Sequence, residues 1–123
     1  MLSREKVSDL VGKPFEQTKN GYAWGCLAPM YEILPEMLHL RYPVSESSNM
    51  LQHFKETCQE VSLKDVKYGD ILVVKLPMNQ WHLMVCLGSG KAIHCTGSIN
   101  TEIVNYDKYK SRVKGVFRFV KGI

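Results

Sequence analysis

The chain has 123 residues, 45% of them hydrophobic and 23% charged, with a formal net charge of +4. That composition excludes disordered and fibrous classes, and the length suits one domain able to bury roughly two-thirds of its unfolded surface. The basic excess falls short of a nucleic-acid-binding footprint. No run approaches the ~20 apolar residues that span a bilayer, and the first ten residues lack the apolar stretch of a secretory signal. The expectation is one domain over 1–123, with no nucleic-acid partner and no membrane insertion. Cytoplasmic synthesis is expected, so that action outside the cytoplasm would need delivery by something other than the chain's own sequence.

Up to about residue 58 the apolar spacing is helical. Val7, Leu10 and Val11 mark a short amphipathic turn stopped by Gly12-Lys13-Pro14. Leu27, Met30, Tyr31, Leu34 and Leu38 line one face of a longer helix, with Pro29 near its start and Pro35 ending or kinking it. Ser47, Ser48 and Asn49 offer caps for a third helix carrying Met50, Leu51, Phe54 and Cys58.

After Val61 the period becomes two. Five strands are predicted: Ile71 to Lys75, Trp81 to Leu87, Lys91 to Cys95, Glu102 to Val104 and Val113 to Val120. Three helices followed by five strands is an α+β arrangement, and connections this short make the sheet mainly antiparallel.

The stretch from Trp81 to Cys95 reads as two strands around Gly88-Ser89-Gly90. Alternation puts His82, Met84 and Cys86 on one face of the first strand, and Ala92 and His94 on one face of the second. A three-residue loop pairing Leu87 with Lys91 sets His82 opposite Thr96 and diagonal to His94, roughly 7–8 Å apart on one side of the sheet. A strict two-residue loop would set them on opposite faces. Two imidazoles so placed suit a base and the group that orients it, which calls for a nucleophile. No third His, Asp or Glu stands at a metal-ligand spacing, so neither a metal nor a cofactor is expected. His39 and His53 are expected on the surface.

The four cysteines, Cys26, Cys58, Cys86 and Cys95, contain no C-x-x-C pair, and free thiols are the expected state. A cysteine at the start of the helix near Trp24 would feel the macrodipole and unpaired N–H groups, both of which favour its thiolate. Cys58, Cys86 and Cys95 are expected to be packing residues.

The order of these pieces resembles the NlpC/P60 cysteine peptidases, and small phage-tail cell-wall hydrolases among them. The matching segments are Val11-Gly12-Lys13-Pro14-Phe15, Tyr22-Ala23-Trp24-Gly25, Asp65 to Leu72, Trp81-His82 through Gly90, and Lys91-Ala92-Ile93-His94. The resemblance implies a papain-like fold and a Cys–His–polar triad that cuts peptidoglycan stem peptides, commonly at the γ-D-glutamyl–diaminopimelate bond. It also implies phage-tail or secretion-apparatus partners. His82 matches the general base and His94 the orienting residue. Ala23 occupies the nucleophile's place.

Three readings of that alanine stay open. It is a natural or engineered Cys→Ala change, or Cys26 is the nucleophile one helical turn further on, or the site binds without cutting. Phe15 replaces the family's tyrosine, and Tyr22 stands where an aspartate is typical. Tyr22, Trp24 and Trp81 are the candidate substrate-binding residues.

Overall fold

A computed structural model of the chain describes residues 1–12, 27–40, 47–95 and 100–120, with 38–40, 47–49 and 79 described in backbone only. Its centre is one antiparallel sheet of six strands: β1 (Gln59–Glu60), β2 (Ile71–Leu76), β3 (Gln80–Gly88), β4 (Lys91–His94), β5 (Glu102–Asn105) and β6 (Val113–Arg118). Their order across the sheet is β1-β6-β2-β3-β4-β5. Every pairing is antiparallel, as the short connections require. The expected five strands are all present. The sixth, β1, is two exposed residues paired with the end of β6, too short to leave an alternating pattern. The last strand closes at Arg118, before the expected Val120.

The helical half is more broken than its periodicity suggests. Arg4–Leu10 is a 3-10 helix burying Val7 and Leu10. Val11, expected on the apolar face, is 47% exposed, because the chain has already left the helix in extended backbone there. Helix α1 (Ala28–Ile33) carries Pro29 in its first turn, where a missing N–H costs nothing. Pro35 then ends it, and the chain continues as a 3-10 segment, Pro35–Leu40. Helix α2 (Ser47–Thr57) delivers Met50 and Phe54 to the core, and the Phe54 ring stacks on Phe117 of β6 at 5.6 Å.

Strand alternation gives the sheet two buried faces. Ile71, Val73, Leu83, Val85, Ile93 and Phe117 meet α1, α2 and the N-terminal 3-10 helix. Leu72, Val74, Met84, Cys86, Ala92, Val104 and Val116 form the other face, covered in part by Val61, Leu63, Val66, Tyr106 and Tyr109. The near-continuous apolar runs of β2 and β3 follow from this double burial, since such strands need no polar face.

The entry to β2 is fastened by the Gly69-Asp70 step. Gly69 has a φ of +90°, open to glycine and strained for other residues. Asp70, almost wholly buried, accepts Arg118 Nε at 2.9 Å on Oδ1 and both Arg118 Nη2 and the Lys67 N–H at 2.8 Å on Oδ2. Its carboxylate therefore ties the start of β2 to the end of β6.

Candidate active site

The β3–β4 turn decides whether the histidines meet. Its tip is two residues, Ser89 and Gly90, with φ of 54° and 76°, the double positive φ that a type I′ connection requires. Gly88 pairs with Lys91, which by itself would give the wrong parity. The register then shifts between Cys86 and Gly88, leaving Leu87 as an extra residue, so Cys86 pairs with Ala92 and Val85 with Ile93. A bulge restores the parity that the expected three-residue loop was to supply. The expected partner of His82 across the hairpin, Thr96, lies outside the described residues.

His82 and His94 consequently share a face and touch. His82 Nε2 lies 2.8 Å from His94 Nδ1, with ring centroids 5.0 Å apart and planes inclined by 67°. A diagonal pair's backbone separation is within reach of two imidazoles, and here the side chains close it to hydrogen-bond distance. The rings are 4% and 2% exposed. Beyond His94, its Nε2 lies 2.9 Å from Glu102 Oε1, and the Tyr109 ring packs edge-on at 6.1 Å.

Sequence reasoning missed Glu102. It stands directly opposite His94 in the β4–β5 ladder, a pairing set by the 95–101 connection, whose length fixes no register from sequence. A carboxylate only accepts hydrogen bonds, so His94 Nε2 is the donor to it. In the neutral pair His94 Nδ1 is then an acceptor, and His82 donates from Nε2. The lone pair left on His82 is at Nδ1.

Burial lowers the His82 imidazole to about 3, and the neighbouring His94 ring pushes in the same direction. His82 is therefore a neutral base at ordinary pH. Burial, with the Asp70 carboxylate second, pushes the Cys86 thiol up, which makes it an inert packing residue.

The pair sits at one end of the sheet, where β3 begins and β4 ends. The N-terminal segment is pinned to that same end: the Gly12 N–H donates to the Thr101 carbonyl at 2.8 Å, one residue before Glu102. The chain enters 13–26 from the start of β5, the strand next to the one that carries His94. Phe15, Tyr22, Ala23, Trp24 and Cys26 lie within that stretch, outside the described residues. Trp81 alternates to the other face from His82, packs against the helix-side core, and carries Lys75 Nζ 5.5 Å from its ring centre. His53 is half-buried on α2, not on the surface, and His39 falls in the Pro35–Leu40 segment. Among the described residues no group of three His, Cys, Asp or Glu is placed to hold a metal ion.

No protein-family model and no curated protein matches the sequence. Solved structures do match. The NlpC/p60 domain of the peptidoglycan hydrolase SagA superposes over 94% of each chain with a TM-score of 0.63 at 14% identity. The chain has the NlpC/P60 fold. NlpC2 from Trichomonas vaginalis aligns over 94% of this chain and 44% of its own, with a TM-score of 0.68 and 18% identity. A lipoprotein-like NLP/P60 protein of Staphylococcus aureus aligns over 96% of this chain, with a TM-score of 0.62 and 13% identity. This chain spans 40% of that protein's length. The fold thus matches one neighbour as a whole domain and the others as a part of a longer chain.

Proposed function

We propose that this is a Cys–His–His peptidoglycan peptidase domain, papain-like in its chemistry, whose nucleophile position carries Ala23. The contact between His82 and His94 carries this reading. A buried neutral imidazole, held through one nitrogen by a second imidazole and without a partner at the other among the described residues, is the arrangement a thiol nucleophile needs from its base. The fold likeness to the NlpC/p60 domain of a peptidoglycan hydrolase supports the substrate class. The N-terminal segment supports the geometry, because it is pinned at Thr101, one residue before the Glu102 that holds His94.

With cysteine at 23, His82 Nδ1 takes the thiol proton as sulfur attacks the amide carbonyl of a stem peptide. His82 then returns that proton to the departing amine, and the acyl group stays on sulfur. In the second half His82 takes a proton from water, the hydroxide adds to the thioester, and the sulfur leaves and takes that proton back from His82, restoring the thiol and the neutral imidazole. His94 keeps the His82 ring in place throughout. With Ala23 there is no attacking atom, and the site binds the wall peptide without cutting it. Delivery to the wall falls to a phage tail or a comparable apparatus.

Ala23→Cys is the test. The variant should release stem-peptide fragments from purified muropeptides, read by mass spectrometry, while the chain as written releases none. Cleavage by the unaltered chain that Cys26→Ser abolishes would transfer the nucleophile to Cys26. Muropeptide binding without cleavage even in Ala23→Cys would make the domain a wall-binding module.

A further inference from the structure

The His82–His94 contact does not by itself choose a direction. Two neutral imidazoles joined Nε2 to Nδ1 can pass the hydrogen either way, and only one way leaves His82 with a bare Nδ1. What each outer nitrogen meets must settle the choice. Tyr109 meets His94 as a ring contact, at 6.1 Å between centroids with planes inclined by 64°, and among the described residues it makes no hydrogen bond to the outer nitrogen. Glu102 does, at 2.9 Å.

We infer that Glu102 is a positioning residue of this site, fixing His94 and through it His82 in the tautomer that leaves His82 Nδ1 free to act as base. The residue is built for that role by register. His94 ends β4 and Glu102 begins β5 directly opposite it, so two neighbouring strands hold the pair on one face. His94 is 2% exposed on its side chain and Glu102 45% exposed. The carboxylate therefore caps a buried donor chain from its solvent end. The order runs His82 to His94 to Glu102, every step donating outward. Without the carboxylate, the His94 Nε2–H loses its acceptor among the described residues, and both hydrogen-bond directions become open. The catalytic half of this assignment rests on the proposed peptidase reading, whereas the tautomer half stands on the geometry alone.

The test follows imidazole nitrogens by 15N NMR in the full chain as it exists, with Ala23 in place. His82 should show a protonated Nε2 and a bare Nδ1. Glu102→Met keeps the length of the side chain on a half-exposed strand and removes the acceptor, and Glu102→Ser is the second choice should Met disturb the fold. Either should make His82 a mixture of tautomers. Glu102→Gln, whose half-exposed amide is free to turn its oxygen toward His94, should keep the original signals. A His82 tautomer unchanged in the Met or Ser variant, or an Nδ1–H in the unaltered chain, overturns the assignment.

In an Ala23→Cys background, Glu102→Met should lower kcat on the order of tenfold with KM little changed, and Glu102→Gln should restore most of it. An inert Ala23→Cys chain would sink the peptidase reading and leave the NMR result to decide the role of Glu102.

Discussion

His82 shows how burial and chemistry are set against each other in one side chain. Its imidazole is held at about 3 inside the fold and titrates near 6.5 in an unfolded chain. Between those values the unfolded state binds the extra proton, so stability rises with pH across the window. The stabilisation from a neutral His82 is complete above about pH 6.5 and is lost as the pH falls toward 3. Urea unfolding midpoints should be flat from pH 8 to 7 and decline below 6.5, with a slope approaching about 1 kcal/mol per pH unit from this group. His82→Phe should flatten the upper part of that decline. The same reasoning gives a signature for the proposed nucleophile position. No anion faces His82 Nδ1 among the described residues, whereas a thiolate at position 23 would favour the imidazolium. Ala23→Cys should therefore raise the His82 titration midpoint, followed by NMR.

The elements that matter most are the β3–β4 hairpin and the entry to β2. Asp70 receives three hydrogen bonds, two from Arg118 and one from the Lys67 N–H. Those bonds fasten β2 to β6, so Asp70→Ala should cost about 2–4 kcal/mol in urea denaturation, leaving a partly buried guanidinium and an N–H without their acceptor.

Much of this layer was legible in the sequence, because β2, β3, β4 and β6 are apolar runs set off by turn residues, and both histidines fall on matching parities. The Leu87 bulge was not legible, since a Gly-Ser-Gly tip admits two loop lengths and only the folded register distinguishes them. Glu102 stayed hidden for the same reason: its partner across the ladder depends on how a seven-residue connection closes. β1 was hidden by its length of two residues, and the split after α1 was marked only by Pro35. Shortening the turn by deleting Ser89 should disturb the parity that the bulge restores, which the loss of the His82–His94 NMR coupling pattern would report.

At the scale of the whole molecule, the sheet is buried on both faces and carries its chemistry at one end. Helices α1 and α2 pack on one face, while the 3-10 segment Tyr106–Arg112 and the run from Val61 to Val66 cover the other. The polar pair is embedded in the second face, hydrogen-bonded at every ring nitrogen but His82 Nδ1 among the described residues, and the first face is left to hold the fold together. Phe54, wholly buried against Phe117, joins α2 to the sheet. Phe54→Ala should cost about 3–5 kcal/mol in thermal or urea unfolding, with the His82–His94 contact intact in the molecules that remain folded.

The proposed mechanism requires a thiol at position 23 to lie within reach of His82, and thiol chemistry tests that requirement without any substrate. In a chain carrying both Ala23→Cys and Cys26→Ser, the rate of iodoacetamide alkylation at position 23 would be measured by mass spectrometry from pH 4 to 10. Cys86, its thiol pushed up by burial, should stay unlabelled in the folded protein. The expected result is a thiol at position 23 that reacts well below the ordinary midpoint of about 8.5, returning toward that value when His82→Ala is added. A midpoint at the ordinary value, unchanged by His82→Ala, would contradict it.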